Sequence, residues 1–277
     1  MDEFNYKKFV DVLGLEEGDV IDVASDLRSI MLYCREHKLK FQPNGLIDAL
    51  MTAVGEKGTV MIRAFSWAFC KGEAFDIRAT PSQVGSLGNI AMRRRDFQRT
   101  RHPIYSWVVA GKYQKELCQY SNKEAFGKGT PFEFLCVHNA KQLMLGNAET
   151  TGTTQLHHAE KLENVPYRFE KNFLSDYVDE RGCKFSKEYS MYVRYLDIDV
   201  DNRVFDGKET QKKLLEKNIK YENYFNEDIY VSVCMLKPLT DFMQEDIRFN
   251  EGKSVVSVNG LEGYKEANVD YFKLARK

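Results

Sequence analysis

A threonine, a histidine and a glutamate follow one another at three-residue intervals, as Thr154, His157 and Glu160. If this segment is helical, residues three apart lie near one face, so the three side chains point the same way. A histidine in a first helical turn lies near the positive end of the helix dipole, which disfavours the imidazolium and favours a neutral base. A glutamate one turn later can accept a ring N–H, fix the tautomer and stabilise the imidazolium formed during reaction. The spacing therefore fits a general base with its orienting carboxylate.

The same spacing also fits an ordinary surface helix, capped by Thr153 or Thr154, whose histidine has no chemical role. His158 follows directly, and adjacent helical residues point about 100° apart, so only one of the two histidines can face a site. The pair lacks the HxxxH spacing that puts two metal ligands on one helix face, and the six cysteines contain no CxxC pair. We therefore expect no metal, and we expect most cysteines to be buried thiols.

The composition is that of a globular protein. The chain has 277 residues, of which 43% are hydrophobic and 29% charged, which excludes fibrous and disordered classes. Its 40 basic and 41 acidic residues give a net charge of −1, so we expect no nucleic-acid partner. The N-terminus has no apolar segment after its charges, and no stretch approaches about 18 uninterrupted apolar residues. We expect a cytoplasmic protein without a membrane partner.

Short β-rich runs alternate with amphipathic stretches through the first half, which predicts an α/β domain built around one sheet. Residues 18–25 alternate like a strand, whereas residues 45–55 have helical spacing and end on a glycine that predicts a C-cap. Pro81 predicts a nearby helix start. The polar loop after Gly146 leads into the helix that carries the histidine, and this helix should end before Pro166.

The C-terminal part is more charged. Residues 187–202, KEYSMYVRYLDIDVDN, predict one strand with an acidic end, and further strands and helices follow. No Gly/Pro/Ser-rich connector marks a boundary. We therefore predict a single domain over residues 1–277, with a possible C-terminal subdomain from about residue 185.

Seven runs of the sequence stand out together: GTVMIRAFSWAFCKGEAFD, TPSQVGSLGNIAMRRR, RTRHPIYSWVVAG, AFGKGTPFEFL, LMLG, TTQLHHAE and NVPYRF. In order and approximate spacing they resemble the aminoglycoside 3-N-acetyltransferase family, an antibiotic acetyltransferase family outside the common GNAT fold. The resemblance covers about residues 9–173, and the tail more loosely. It implies an α/β/α sandwich around a central mixed sheet, with a more elaborated C-terminal part. It also implies transfer of an acetyl group from acetyl-CoA to a sugar-borne amine.

The family's T-x-x-H-x-x-E motif falls on Thr154, His157 and Glu160. The resemblance and the spacing thus agree, and together they favour a catalytic His157. An ammonium cannot attack a thioester, so a base must take or hold off the proton of the amine before the carbon–nitrogen bond forms.

The resemblance also implies two segments that bind acetyl-CoA. The loop after the first strand supplies Ser25, Asp26, Leu27 and Arg28, and the HP-containing segment supplies Arg99, Thr100, His102 and Ser106. The first loop departs from the family's usual H-S-S-L, because Ala24 replaces a histidine and Asp26 a serine. Arg63 stands where the family commonly has proline.

Three interpretations of the ligand stay open. A polycationic aminoglycoside requires carboxylates, and Asp197, Asp199, Asp201, Glu222 and Asp228 are candidates. The second is an amino sugar of surface glycan or secondary metabolite synthesis, and a nucleotide-linked form of it would instead need basic residues near its phosphates. A non-catalytic relative that binds CoA or a sugar is the third.

Two further residues, Tyr167 and Arg168, continue the family's P-Y-R element. By resemblance they support or line the acceptor side, although a structural role fits them equally well.

Overall fold

A computed structural model describes residues 2–146, 154–202, 204 and 207–259 of the chain. The helices are α1 Tyr6–Asp11, α2 Arg28–Glu36, α3 Pro43–Val54, α4 Ser86–Ala91, α5 Gln114–Gln119, α6 Pro131–Val137, α7 Gln155–Leu162, α8 Lys208–Glu216 and α9 Leu236–Asn250. The strands are β1 Val20–Ser25, β2 Thr59–Arg63, β3 Phe75–Asp76, β4 Gln98–Arg99, β5 Trp107–Gly111, β6 Lys141–Leu145, β7 Arg168–Val178, β8 Lys184–Arg194, β9 Asp199–Asn202, β10 Lys220–Phe225, β11 Ile229–Met235 and β12 Val256–Asn259.

The central sheet has seven strands in the order β10-β11-β6-β1-β2-β5-β4. Strand β1 pairs in parallel with β2 and β6, and the outer pairings are antiparallel. The predicted mixed sheet is therefore confirmed. Strand β1 lies in the middle of the sheet and is buried over nearly its whole length. Ligands commonly bind at the C-terminal ends of the strands in α/β sheets, so the C-terminal end of β1 is a candidate position for a site.

Apolar side chains fill both faces of this sheet, which explains the two helical layers. On β2, Val60 and Ile62 pack in one core with residues of α1 to α4, whereas Met61 packs in the other core. That second core includes apolar residues of α5, α6, α7 and α9. The alternation of side chains along a strand supplies both cores from one sequence. The α/β/α sandwich is confirmed.

The C-terminal part adds two strands to the central sheet and also forms a separate hairpin. Strands β10 and β11 extend the sheet beyond β6. Strands β7 and β8 form a long hairpin in which 11 residues on each strand are paired, and β3 joins its edge. A division of the chain near residue 185 would separate the two strands of this hairpin, so we retain one domain as our interpretation.

Two predictions about local structure are wrong. Helix α4 begins at Ser86, not near Pro81, because Gly85 adopts a positive φ of 83° just before it and ends the preceding loop. Residues 187–202 do not form one strand. Strand β8 ends at Arg194, the chain turns through Leu196 and Asp197, and β9 pairs with β12 in a separate two-stranded sheet.

In the described part of the chain, none of the helices combines the length and apolar character needed to cross a membrane.

Candidate active site

His157 lies in the first turn of α7, as predicted. Its backbone N–H donates to the carbonyl of Thr154 at 3.1 Å. Thr154 occupies the N-cap position, but its side chain makes no capping hydrogen bond, because its backbone is already helical, with φ −57° and ψ −25°. The alternative cap, Thr153, lies outside the described residues. His158 faces the core, where its Nδ1 accepts the Gly127 N–H at 3.2 Å.

A buried carboxylate holds the ring of His157. Nδ1 of His157 lies 2.8 Å from Oε2 of Glu160, and the Glu160 side chain is fully buried. The same Oε2 lies 2.6 Å from Nε of Arg168, the first residue of β7. Burial of a lone carboxylate is costly, whereas two polar partners offset that cost. Strand β7 therefore supplies the charge that allows α7 to bury Glu160.

These contacts determine the protonation of the pair. Burial alone would raise the pKa of Glu160, but the Arg168 charge and the His157 hydrogen bond outweigh it and lower the pKa overall. An ionised carboxylate only accepts, so the proton of the neutral ring lies on Nδ1 and Nε2 carries a lone pair. Burial and the nearby Arg168 charge lower the pKa of His157, against the opposing effect of Glu160. The lowered pKa favours the neutral form of the His157 ring at pH 7.

His157 stands between two cavities. The first has a volume of about 610 Å³ and opens at the C-terminal end of β1; residues 24–28, Arg63, Phe65, residues 83–86 and Thr154 contribute to its wall. The second has a volume of about 360 Å³ and is lined by residues of α7, β7, β8, β9 and β12. Trp67, Tyr105 and His157 line both cavities. One histidine can therefore contact ligands that enter from either side.

Aromatic side chains pack around His157 at the boundary between the two cavities. Phe126 meets the His157 ring edge-on, with centroids 5.6 Å apart, and also contacts Tyr105 at 4.9 Å. Trp67 and Tyr105 are in T-shaped contact, and burial raises the pKa of Tyr105 to about 12, so its phenol stays neutral. Sequence reasoning missed Trp67 and Tyr105. Their only signal was their place within two of the family-like runs.

The first predicted cofactor segment lies in the wall of the first cavity, where Ser25, Asp26, Leu27 and Arg28 all contribute. Nη2 of Arg28 lies 2.5 Å from Oδ2 of Asp26, and Oδ1 accepts the backbone N–H of Arg28 at 3.0 Å. The hydrogen bond with Arg28 lowers the pKa of Asp26. The unusual carboxylate of this loop is thus neutralised by the next charged residue.

None of the four residues predicted in the second cofactor segment lines either cavity. Arg99 donates to Ser106 Oγ at 2.9 Å and to the Ala64 carbonyl at 2.7 Å, and the Thr100 hydroxyl accepts the Trp107 N–H. His102 is buried, and its Nδ1 accepts backbone N–H groups of the following turn. These four side chains form hydrogen bonds with one another and with the backbone on either side of Tyr105. Their proposed contact with a cofactor stays a prediction.

A buried polar network lies beneath the first cavity. Asp22, in the middle of β1, accepts hydrogen bonds from Arg63 Nη2 at 2.6 Å, Trp107 Nε1 at 2.8 Å and Gln142 Nε2 at 3.1 Å. Arg63, the residue that replaces the family's usual proline, therefore pairs with a carboxylate of the central strand and also lines the cavity.

The predicted acceptor residues separate into two groups. Arg168 lines the second cavity, and Tyr167 is buried beside it. Asp197 lies in the turn after β8, and Asp199 and Asp201 are exposed on β9. Val200 lines the second cavity, so its neighbours on the strand point to the opposite face. The structure does not bring these aspartates to the cavity wall.

Among the described residues, no three His, Cys, Asp or Glu side chains form a group that could hold a metal ion.

The fold and site define an α/β protein in which a histidine, held by a buried carboxylate, lies between two clefts. A family model for aminoglycoside 3-N-acetyltransferases matches residues 23–248, and the chain belongs to that family. It is 28% identical over 174 residues to aminoglycoside N(3)-acetyltransferase III of Serratia marcescens, covering 56% of this chain and 62% of that protein. It is 30% identical over 160 residues to aminoglycoside N(3)-acetyltransferase IV of a Salmonella species, covering 56% and 57%. The matches thus span about 60% of these relatives.

Solved structures share the fold. The chain superposes on aminoglycoside acetyltransferase AAC(3)-Xa with a TM-score of 0.70 and 21% identity, covering 87% of this chain and 90% of that chain. A binary structure of AAC-IIIb with CoASH gives a TM-score of 0.69 at 20% identity, covering 90% and 97%.

Proposed function

We propose that this protein is an acetyl-CoA-dependent N-acetyltransferase that acylates an amino group on a sugar, with His157 as the general base. The single observation that carries the proposal is the position of His157, which lines both cavities while Glu160 holds its Nδ1. A base in that position can contact a thioester on one side and an amine on the other. Family membership supplies the reaction class.

His157 Nε2 would take the proton as the amine attacks the thioester carbonyl. The nitrogen–carbon bond would form, the carbon–sulfur bond of the thioester would break, and the imidazolium of His157 would return the proton to the leaving thiolate, which gives the free thiol. Glu160 stabilises the imidazolium that exists between these two proton transfers. Arg168 keeps Glu160 ionised, so the proton stays on the ring and does not pass to the carboxylate.

The first cavity is the better candidate for acetyl-CoA. It contains the beginning of α2, whose first-turn N–H groups favour an anionic group. Its volume falls within the usual range for ligand sites. The CoASH bound in AAC-IIIb supports this cofactor for a protein of the same fold. Ser25, Leu27 and Arg28 would then contact the cofactor, as the resemblance implies.

The acceptor that family membership suggests is an aminoglycoside, which would give antibiotic resistance. The alternative is an amino sugar of surface glycan or secondary metabolite synthesis. A non-catalytic relative that binds CoA is disfavoured, because the base, its carboxylate and the arginine are all in place. The cytoplasmic location stays a prediction.

The test is release of free thiol from acetyl-CoA in the presence of a panel of aminoglycosides and amino sugars, with product mass measured for each. We expect amine-dependent thiol release and a mass increase of one acetyl group. Acetyl-CoA binding without release for any amine would favour the non-catalytic relative.

A further inference from the structure

The charge in the second cavity is opposite to what a polycationic acceptor needs. Two arginines, Arg168 and Arg194, line this cavity together with apolar and aromatic side chains. Among the described residues, no aspartate or glutamate contributes to its wall. Recognition of several ammonium groups relies on carboxylates, and like charges repel them.

The two arginines lie directly opposite each other. Arg168 on β7 and Arg194 on β8 are register partners in the hairpin, and side chains of such partners share one face. Like charges placed this way destabilise a sheet unless a counter-charge is present. Glu160 supplies that counter-charge to Arg168 at 2.6 Å.

Arg194 has no such partner in the described part of the chain. Its Nη1 donates to the Val200 carbonyl at 3.4 Å, and no carboxylate of the described residues forms an ion pair with it. Arg194 is exposed, so its guanidinium is accessible to a ligand in the cavity. A guanidinium presents a planar fork of donors that matches a phosphate or carboxylate.

The candidate carboxylates of the tail do not line this cavity. Glu222 accepts from Lys220 and Tyr230 at the far edge of the central sheet, and Asp228 lies 4.0 Å from His37. Asp199 and Asp201 point away from the face on which Val200 lines the cavity. The cavity volume of about 360 Å³ is near the lower end of the usual range for ligand sites. That volume accommodates one sugar ring, and the rest of a larger acceptor would extend out of the cavity.

We propose that the acceptor is a single amino sugar that carries an anionic group, a phosphate or a carboxylate, and that Arg194 binds this group while the amine faces His157. This inference rests on the proposed function, which it deepens by naming the substrate class. The phosphate could belong to a sugar phosphate or to a nucleotide-linked sugar, since both present the same charge to the arginine.

The test compares kcat/KM for five acceptors at fixed, saturating acetyl-CoA: glucosamine, glucosamine 1-phosphate, UDP-glucosamine, muramic acid and sisomicin. We expect at least one anionic sugar to exceed glucosamine by about tenfold or more, with sisomicin below both. The anionic acceptor that reacts best identifies the source of the charge.

Variants of Arg194 connect the preference to this residue. Arg194→Gln should remove the advantage of the anionic sugar while leaving kcat/KM for glucosamine and the KM for acetyl-CoA within about twofold. Arg194→Lys should retain part of the advantage. Arg95→Gln changes the net charge equally at an exposed position outside both cavities, and should leave the preference intact.

Two results would overturn the inference while the proposed function stands: sisomicin or glucosamine as the best acceptor, or an unchanged anion preference in Arg194→Gln. If none of the five amines increases thiol release, both the inference and the proposed function fail. Melting temperatures of the variants identify any loss that comes from unfolding.

Discussion

Nε of Arg168 lies 2.6 Å from Oε2 of Glu160, the same oxygen that lies 2.8 Å from Nδ1 of His157. One buried oxygen thus joins the first residue of β7 to the proposed base on α7. The charge of Arg168 lowers the pKa of both neighbours, whereas Glu160 raises the pKa of His157. Removing Arg168 and removing Glu160 should therefore shift the acidic limb of the pH–rate profile in opposite directions.

Arg168→Met should move the acidic limb of the kcat/KM profile to higher pH. The variant removes a positive charge beside His157, so the imidazolium becomes easier to form and the base is lost at a higher pH. Arg168→Lys restores a charge and should move the limb back towards its original position. An acidic limb at the wild-type pH in Arg168→Met would contradict the coupling.

Glu160→Gln should lower turnover by about tenfold or more and move the acidic limb to lower pH. The amide can still accept from Nδ1, but it no longer stabilises the imidazolium, so the pKa of His157 falls. Buried Arg168 also loses its counter-charge, which costs stability, so the profile is measured at temperatures where the variant is folded. An unchanged profile would argue against an orienting role for Glu160.

Asp26→Ser should tighten CoA binding by a few-fold. The substitution removes a carboxylate from the wall of the first cavity and frees both the guanidinium and the backbone N–H of Arg28. Exposed ion pairs of this kind are weak and screened by salt, so the change in affinity should be small. Isothermal titration of CoA at low and high salt measures it. Unchanged affinity would mean that the cofactor does not pass this loop.

The stability of the fold should fall as pH decreases from about 6.5 to 5. Burial lowers the pKa of His102 and His158 to about 4 each, whereas the unfolded chain has ordinary histidines near 6.5. The unfolded state then binds more protons in this window, so each histidine removes about 2 kcal/mol of stability by pH 5.

Urea unfolding at pH 7, 6 and 5 checks this dependence. His158→Asn should reduce the slope by removing one of the two imidazoles whose pKa burial lowers to about 4, and a slope equal to that of the wild type would contradict the role of His158. His37→Asn, which replaces an exposed histidine, is the matched control.

The sequence predicted the parts of this molecule that depend on local pattern. The alternation in residues 18–25 and the helical spacing in residues 45–55 correspond to β1 and α3, and Gly55 takes the positive φ expected of a C-cap. The three-residue spacing of His157 and Glu160 allowed their contact on one face of α7, and the family resemblance favoured it over an ordinary surface helix.

Long-range relationships were not accessible to the same reasoning. The Arg168–Glu160 ion pair depends on how β7 lies against α7, and the Asp22–Arg63 pair joins residues 41 positions apart on neighbouring strands. The sequence predicted one acidic strand end containing Asp197 and Asp199, but Asp197 lies in the turn after β8, and pairing with β12 decides which face of β9 Asp199 occupies.

The most direct test of the central claim is turnover of His157→Ala with acetyl-CoA and the best acceptor of the panel, measured beside CoA affinity and melting temperature. A lost general base should lower kcat by at least about a hundredfold, while CoA binding and the fold are retained. His37→Ala, at an exposed site outside both cavities, should turn over like the wild type. Turnover of folded His157→Ala within a few-fold of the wild type would contradict the claim that His157 is the base.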